Sequence, residues 1–191
     1  GDDNLYVRLK QSHGWANSGV KPTSYFNEGG DAASAALEVD KIWYTFPIGD
    51  KVTATVGPLI ENYYMLAATP SVYKPKVLKA FRFGGHGAAF GASTSQAVGL
   101  KYDAQNGFAS SITLNSKGAD STVGALTKDD QTKLNIQGAY TVDNYHVSAT
   151  FTSQRNGFGA YPYYATSGAT QTNDMDGWAL RAWWRPEEQG T

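Results

Sequence analysis

The chain has 191 residues, 41% hydrophobic and 17% charged, with a net charge of -1 at pH 7 and no cysteine. This length fits one domain over residues 1–191, the balanced charge gives no indication of nucleic-acid binding, and the lack of cysteine excludes disulfides and thiolate metal sites. Mean hydropathy is -0.42 and no apolar run reaches the ~18 residues of a spanning helix, which excludes a bundle of transmembrane helices.

Apolar and polar residues alternate with period two through most of the chain, and this pattern predicts an all-β fold. In the first segment, for example, Leu5, Val7 and Leu9 alternate with polar neighbours. Lys41 interrupts the apolar row of the second segment, which is compatible with a β-bulge. No segment has a helical period. The predicted strands are about eight, at residues 5–10, 37–46, 52–56, 98–102, 108–114, 134–140, 145–152 and 178–184.

The connections between these strands alternate between short and long. The long ones cover roughly residues 11–35, 57–95, 116–130 and 154–175. In an antiparallel up-and-down sheet, the three short turns should therefore lie at one rim, at Gly49-Asp50, Asn106-Gly107 and Asp143-Asn144. Short turns at one end and long loops at the other are typical of a transmembrane outer-membrane β-barrel. Nothing in the architecture of a soluble sandwich requires this arrangement.

Aromatic residues concentrate at the ends of the predicted strands. Phe151 and Trp178 fall at the ends nearer the long loops. Rings at both ends of a lipid-facing band would form an aromatic girdle, which we favour over the alternative that they plug the ends of a soluble β-sandwich core. Those beside the short turns are Tyr44, Phe46, Tyr102, Phe108, Tyr140, Tyr145 and Trp184.

Long cations occupy the side of the strands opposite the apolar row. A charge that faced lipid at mid-bilayer would cost about 2–4 kcal/mol, so in a barrel these residues would line the lumen and set its ion preference. A solvated face of a soluble sheet explains the position of any single cation equally well, but it explains the whole set of cations less well. The predicted pore-lining residues are Arg8, Lys10, Lys101, Lys133 and Arg181.

The connection at residues 57–95 is the longest, and a loop of this length is usually functional or disordered. In a barrel it could fold into the lumen and narrow it, which would bring its charged residues close to permeating solutes. An exposed external loop explains the sequence equally well. The candidate constriction residues are Glu61, Lys74, Lys76, Lys79 and Arg82.

Motifs for enzyme or cofactor chemistry are weak. Residues 84–87 (GGHG) superficially resemble a dinucleotide-binding turn, but Phe90 stands where a third glycine is needed, and a flexible hinge explains them better. Asp174 and Asp176 lack the remaining ligands of a calcium loop. The histidines have no zinc spacing. We therefore predict no enzyme activity, no cofactor and no metal site.

Residues 37–52, LEVDKIWYTFPIGDKV, resemble a stretch of the cyanobacterial outer-membrane porins, also described as iron-uptake porins and related to carbohydrate-selective porins. Residues 1–9, GDDNLYVRL, resemble the turn and strand that precede that stretch. These two matches cover a small part of the chain, and the rest agrees only in its rhythm of strands and turns. The surface-layer-homology domain and coiled coil of the family are not in this sequence.

The resemblance implies an outer-membrane barrel of about sixteen strands, of which this chain would supply part, and homotrimers are usual for porins of that size. The strands near Leu5 and Trp178 should then pair with further strands and not with each other. We expect a passive pore for small hydrophilic solutes and inorganic ions, with iron among the candidates.

Two alternatives remain open. One is a soluble carbohydrate-binding β-sandwich, with Trp15, Tyr161, Tyr163 and Tyr164 as sugar platforms, and the other is an outer-membrane enzyme on a small barrel.

Overall fold

The computed structural model describes residues 2–10, 37–68, 94–119, 121–158 and 174–184. None of the helices in these ranges is long and apolar enough to cross a membrane. All eight predicted strands are present, with a short 3-10 helix at Asn62–Met65. The strands are β1 (Asn4–Lys10), β2 (Glu38–Ile48), β3 (Val52–Glu61), β4 (Thr94–Asp103), β5 (Phe108–Ser116), β6 (Thr132–Val142), β7 (Tyr145–Arg155) and β8 (Met175–Trp184).

The strands form a single antiparallel sheet in the order β1-β2-β3-β4-β5-β6-β7-β8. Each strand pairs with the next one along the chain, so the up-and-down topology predicted from the sequence is confirmed. Antiparallel pairing of consecutive strands also confirms that the three short turns share one end of the sheet.

Direct hydrogen bonds join neighbouring short turns at this end. The amide of Asp103 donates to the carbonyl of Lys51 over 2.8 Å, and the amide of Thr141 donates to the carbonyl of Gly107 over 2.8 Å. Gly107 has a φ of 95°, and a Cβ at this position would lie 2.5 Å from the Thr141 carbonyl oxygen. Only glycine allows both this backbone conformation and this close approach.

The second strand contains a bulge at Asp40. Arg8 of β1 lies opposite Lys41, but the next residue, Leu9, lies opposite Val39, so Asp40 has no partner in the register. The bulge that Lys41 suggested in the sequence is therefore confirmed. Because the extra residue shifts the alternation by one, Val39 stays on the apolar side and Lys41 moves to the polar side.

The connection between β5 and β6 is organised around the buried carboxylate of Asp130. This carboxylate accepts hydrogen bonds from the Ser116 hydroxyl at 2.6 Å and from the amides of Gly118 and Leu126, each at 2.7 Å. Burial alone would raise the pKa of Asp130, but these hydrogen bonds outweigh it and hold the pKa below its usual value. The Asn156 side-chain amide, in the connection that follows β7, donates to the Asp130 carbonyl over 2.7 Å, which joins the two loops.

We predict that Asp130→Asn lowers the free energy of unfolding near neutral pH by about 1–3 kcal/mol, because an amide cannot accept all three hydrogen bonds. A depressed carboxyl pKa stabilises the fold above the unfolded-state value of about 3.9, and this contribution is lost as the pH falls through the folded-state pKa. Urea titrations near pH 7 and near pH 3 should therefore show a smaller acid-induced loss of stability in the variant.

The control for this measurement is Asp129→Asn, which removes the neighbouring exposed carboxylate. It should leave both the stability and its pH dependence close to those of the unmodified protein, since exposed surface changes are usually within about 0.5 kcal/mol. Equal effects of the two substitutions would contradict the assignment of Asp130 as the organising group of the loop.

Candidate functional site

The two faces of the sheet differ sharply in exposure, and the exposed face is the apolar one. Ile136 on β6 is 45% exposed, whereas its neighbours Asn135 and Gln137 are each 1% exposed. A soluble protein has the opposite arrangement, with polar groups mostly outside. The buried polar residues of the strands are Lys41, Thr55, Ser95, Ser111, Thr113, Asn115, Ser116, Lys133, Asn135, Gln137, His146, Ser148, Thr150, Thr152 and Gln154.

Neighbouring side chains of this polar face bond one another across the strands. The Asn135 amide donates to the Thr113 hydroxyl over 3.1 Å, and the Gln137 amide donates to the Thr150 hydroxyl over 3.0 Å. Because the registers of β5, β6 and β7 place residues of like character directly opposite each other, the amides and hydroxyls form continuous rows. The polar face is therefore a hydrogen-bonded surface in which most groups are uncharged.

All five predicted pore-lining cations lie on the polar face, but on four different strands. Their cross-strand neighbours are polar: Arg8 lies opposite Lys41, Lys10 opposite Glu38, Lys101 opposite Thr53 and Ser111, Lys133 opposite Asn115 and Gln154, and Arg181 opposite Ser148. Arg8 also forms an ion pair with Asp40. The sheet therefore distributes these charges along one face and does not gather them into a cluster.

The first part of the longest connection folds across the polar face, and we call residues 62–68 the inward segment. The amide of Ala67 donates to the Ser111 hydroxyl of β5 over 2.9 Å. The amide of Ala68 donates to the Gln137 side-chain oxygen of β6 over 2.8 Å. The inward segment thus leaves the end of β3 and crosses the neighbouring strands on their polar side.

Apolar contacts hold the inward segment against the sheet as well. Met65 lies over Gly99 of β4, where an added Cβ would come within 2.9 Å of the methionine side chain. Leu66 is buried against Ala179 of β8. Contacts with β4, β5, β6 and β8 show that the segment reaches across most of the width of the polar face.

An aromatic cluster stands beside the inward segment on the same face. Tyr6 of β1 stacks on Trp43 of β2 with ring centroids 4.0 Å apart, and Trp43 contacts Tyr64 at 5.0 Å. Trp43 also packs with Met65 of the inward segment. The bulge region of β2 is therefore part of the surface that receives the segment.

A buried ion pair joins the base of the inward segment to the sheet. The Lys41 ammonium lies 2.7 Å from the Glu61 carboxylate and 3.0 Å from the Thr94 hydroxyl, and the side chains of the ion pair are only 5% and 12% exposed. Burial, and then a hydrogen bond to Glu61, raise the pKa of the Tyr63 phenol above its usual value. The sequence pattern marked Lys41 as a break in an apolar row, and that break was the one local signal of its role.

Of the five candidate constriction residues, Glu61 is the one within the described residues. Lys74, Lys76, Lys79 and Arg82 lie outside them, as do the GGHG hinge and the proposed sugar platforms at Trp15, Tyr161, Tyr163 and Tyr164. In the described part of the chain, no group of three or more histidine, aspartate or glutamate residues could hold a metal ion.

The aromatic residues expected beside the short turns are found there, on the exposed apolar face. Tyr145 is 59% and Trp184 is 63% exposed, and these two residues are cross-strand partners. Tyr44 stacks on Phe46 with centroids 5.6 Å apart. At the opposite strand ends, Phe151 contacts Trp178 at 4.8 Å. The apolar face is thus bordered by aromatic rings at both ends.

No protein-family model, no curated protein and no solved structure matches this chain. The resemblance to the cyanobacterial porins therefore remains a hypothesis.

Proposed function

We propose that this chain forms part of the wall of a water-filled pore in a bacterial outer membrane, through which small hydrophilic solutes and inorganic ions diffuse passively. The observation that carries this proposal is the reversed polarity of the sheet, which is clearest on β5, β6 and β7, where the exposed row is apolar and the buried row is polar. Soluble monomers rarely expose contiguous apolar patches larger than about 300–600 Å². In an outer-membrane barrel the same apolar face contacts lipid and the polar face lines the lumen.

The dimensions of the strands support this proposal. Strands β2 to β8 contain 9–11 residues each. At about 3.3 Å per residue and a tilt of about 40°, ten residues cover about 25 Å, which is the height of the apolar band of an outer-membrane barrel. The aromatic rings at both ends of the strands would then lie at the two lipid headgroup levels.

The carbohydrate-binding sandwich has less support. A sandwich buries the apolar face of each sheet against a second sheet. In the described part of the chain there is one sheet, and its apolar face is exposed.

We further propose that additional strands complete the barrel. Within the described residues, β1 pairs only with β2, and β8 pairs only with β7. An open strand edge is not tolerated in lipid, because its backbone groups would have no hydrogen-bond partners. A closed barrel of eight strands would be filled by its own side chains, whereas about sixteen strands leave a wet lumen for the cations. The remainder of the barrel and outer-membrane lipid would then be the partners of this chain, and a homotrimer is the assembly we propose.

The open edges generate a first test. We predict that residues 1–191 expressed alone give no steady channels in planar lipid bilayers, because β1 and β8 would lack neighbours. Stable conductance steps from this chain alone would show that its eight strands close on themselves or with a second copy.

The lipid-facing assignment generates a second prediction. Ile136→Arg places a charge at the middle of β6 on the apolar face, and in lipid vesicles it should lower the free energy of unfolding by about 2–4 kcal/mol. The control is Val123→Arg in the β5–β6 connection, because Val123 is 43% exposed and Ile136 is 45% exposed. The control should change the stability by no more than about 0.5 kcal/mol.

Urea titration of the complete barrel folded into vesicles, followed by tryptophan fluorescence, measures the free energy of unfolding of both variants. If both positions faced water, an arginine at either of them would change the free energy of unfolding little. Similar small effects of the two substitutions would therefore contradict insertion of the apolar face in lipid.

The inward segment generates a third prediction. Lys41→Met leaves the Glu61 carboxylate without its counter-ion in a buried position, which costs about 3–5 kcal/mol. The segment can avoid that cost by moving off the polar face, so we expect a larger and noisier single-channel conductance of the complete pore in potassium chloride. Lys51→Met, at an exposed turn lysine, is the control and should leave the conductance unchanged. A Lys41→Met pore with unchanged conductance would show that the segment does not narrow the lumen.

A further inference from the structure

Lys133 is a buried cation whose ammonium has no counter-ion in the described structure. Its side chain is 1% exposed and stands opposite Asn115 of β5 and Gln154 of β7. Among the described residues, the ammonium makes no hydrogen bond and no ion pair. An ammonium with so little exposure and no counter-ion is costly, so a negative group bound beside Lys133 would stabilise its charged form.

The neighbouring strands do not supply that negative group. Apart from Lys133 itself, the residues of β5, β6 and β7 on the polar face are alanine, serine, threonine, asparagine, glutamine and one histidine, with no aspartate or glutamate. The histidine, His146, lies near the short turns and bonds the hydroxyls of Thr141 and Ser148. The carboxylate nearest to Lys133 along the chain, that of Asp130, is engaged by Ser116 and two loop amides.

Polar atoms without partners lie on the same face, opposite Lys133 and at the next inward position of β6. The side-chain oxygens of Asn115, Asn135 and Thr152 are buried and have no hydrogen-bond partner among the described residues. Asn115 lies directly opposite Lys133, and Thr152 lies directly opposite Asn135. Buried polar side chains in proteins are almost always hydrogen-bonded, so each of these three atoms can take a further polar ligand or a water molecule.

The two asparagines can present donors to that ligand. Each uses one end of its amide to bond a hydroxyl, Asn115 to Ser95 and Asn135 to Thr113, both at 3.1 Å. Because a hydroxyl donates as readily as it accepts, each amide can turn over, keep this bond and direct its NH2 group at the ligand. The Thr152 hydroxyl can also donate.

We propose that Lys133, Asn115, Asn135 and Thr152 form a binding site for a small inorganic oxyanion such as phosphate or sulfate. The anion supplies the negative charge that Lys133 lacks, and its several oxygens accept hydrogen bonds from donors that converge from three strands. The enclosure of the site favours a small ion over a larger solute. The inference rests on the proposed pore, since a water-filled lumen is what brings the ion to this face.

Calorimetric titration of the full-length protein in detergent with inorganic phosphate tests the site. We expect saturable binding to the unmodified protein and at least about tenfold weaker binding to Lys133→Met, which retains the side-chain length but not the charge. Asn115→Asp should weaken binding to the same extent, because it places a fixed carboxylate directly opposite Lys133. Lys128→Met removes an exposed lysine of the adjacent loop and should not change the affinity.

Each outcome is decisive. No saturable phosphate binding to the unmodified protein, displacement of phosphate by equal concentrations of chloride, or unchanged affinity in both Lys133→Met and Asn115→Asp overturns the oxyanion site. If Lys133→Met does not fold, Asn115→Asp alone decides. Calorimetry does not require conduction, so the two proposals can fail separately. A full-length protein that binds phosphate but forms no channels would overturn the pore and leave the site. A full-length protein that forms channels but does not bind phosphate would overturn the site and leave the pore.

Discussion

The alternation of side chains along each β-strand is the constraint on which the rest of this structure depends. Because successive residues point to opposite faces, the polar row and the apolar row of a strand meet different surroundings. On β6, this places Asn135 and Gln137 on the inside and Ile136 on the outside. In the proposed outer-membrane barrel, lipid would cover the apolar face and the lumen would receive the polar one.

A single extra residue adapts this alternation to the inward segment. The bulge at Asp40 moves Lys41 from the apolar row to the polar face, where its ammonium meets the Glu61 carboxylate at 2.7 Å. Without the bulge, a one-residue register difference would direct Lys41 to the opposite side of the sheet. The bulge, the ion pair and the position of the segment are therefore one connected arrangement.

The sequence predicted those features that are encoded locally. Alternation located the strands, and turn residues such as Asn106-Gly107 located the short connections, because both signals lie within a few neighbouring residues. The contacts that shape the site lie far apart in the chain. The pair Lys41–Glu61 spans 20 positions, and the bond between Ala68 and Gln137 spans 69, so neither leaves a pattern that a local reading can detect. The sequence likewise did not indicate that Asp130 organises a loop, because nothing in its polar neighbourhood distinguishes it from the other acidic residues.

Charge is divided unevenly over the polar face, and this division follows from the strand order. At one side of the sheet, Arg8 is paired with Asp40 and Lys41 with Glu61, so positive and negative groups balance. On β4 and β6, Lys101 and Lys133 have only hydroxyls and amides as neighbours in the register. Fixed positive charge without adjacent carboxylates attracts anions, and a low-dielectric wall strengthens that attraction. In the proposed pore, a preference for anions would thus arise along the β4–β6 part of the wall, while the charges of β1 to β3 would balance one another.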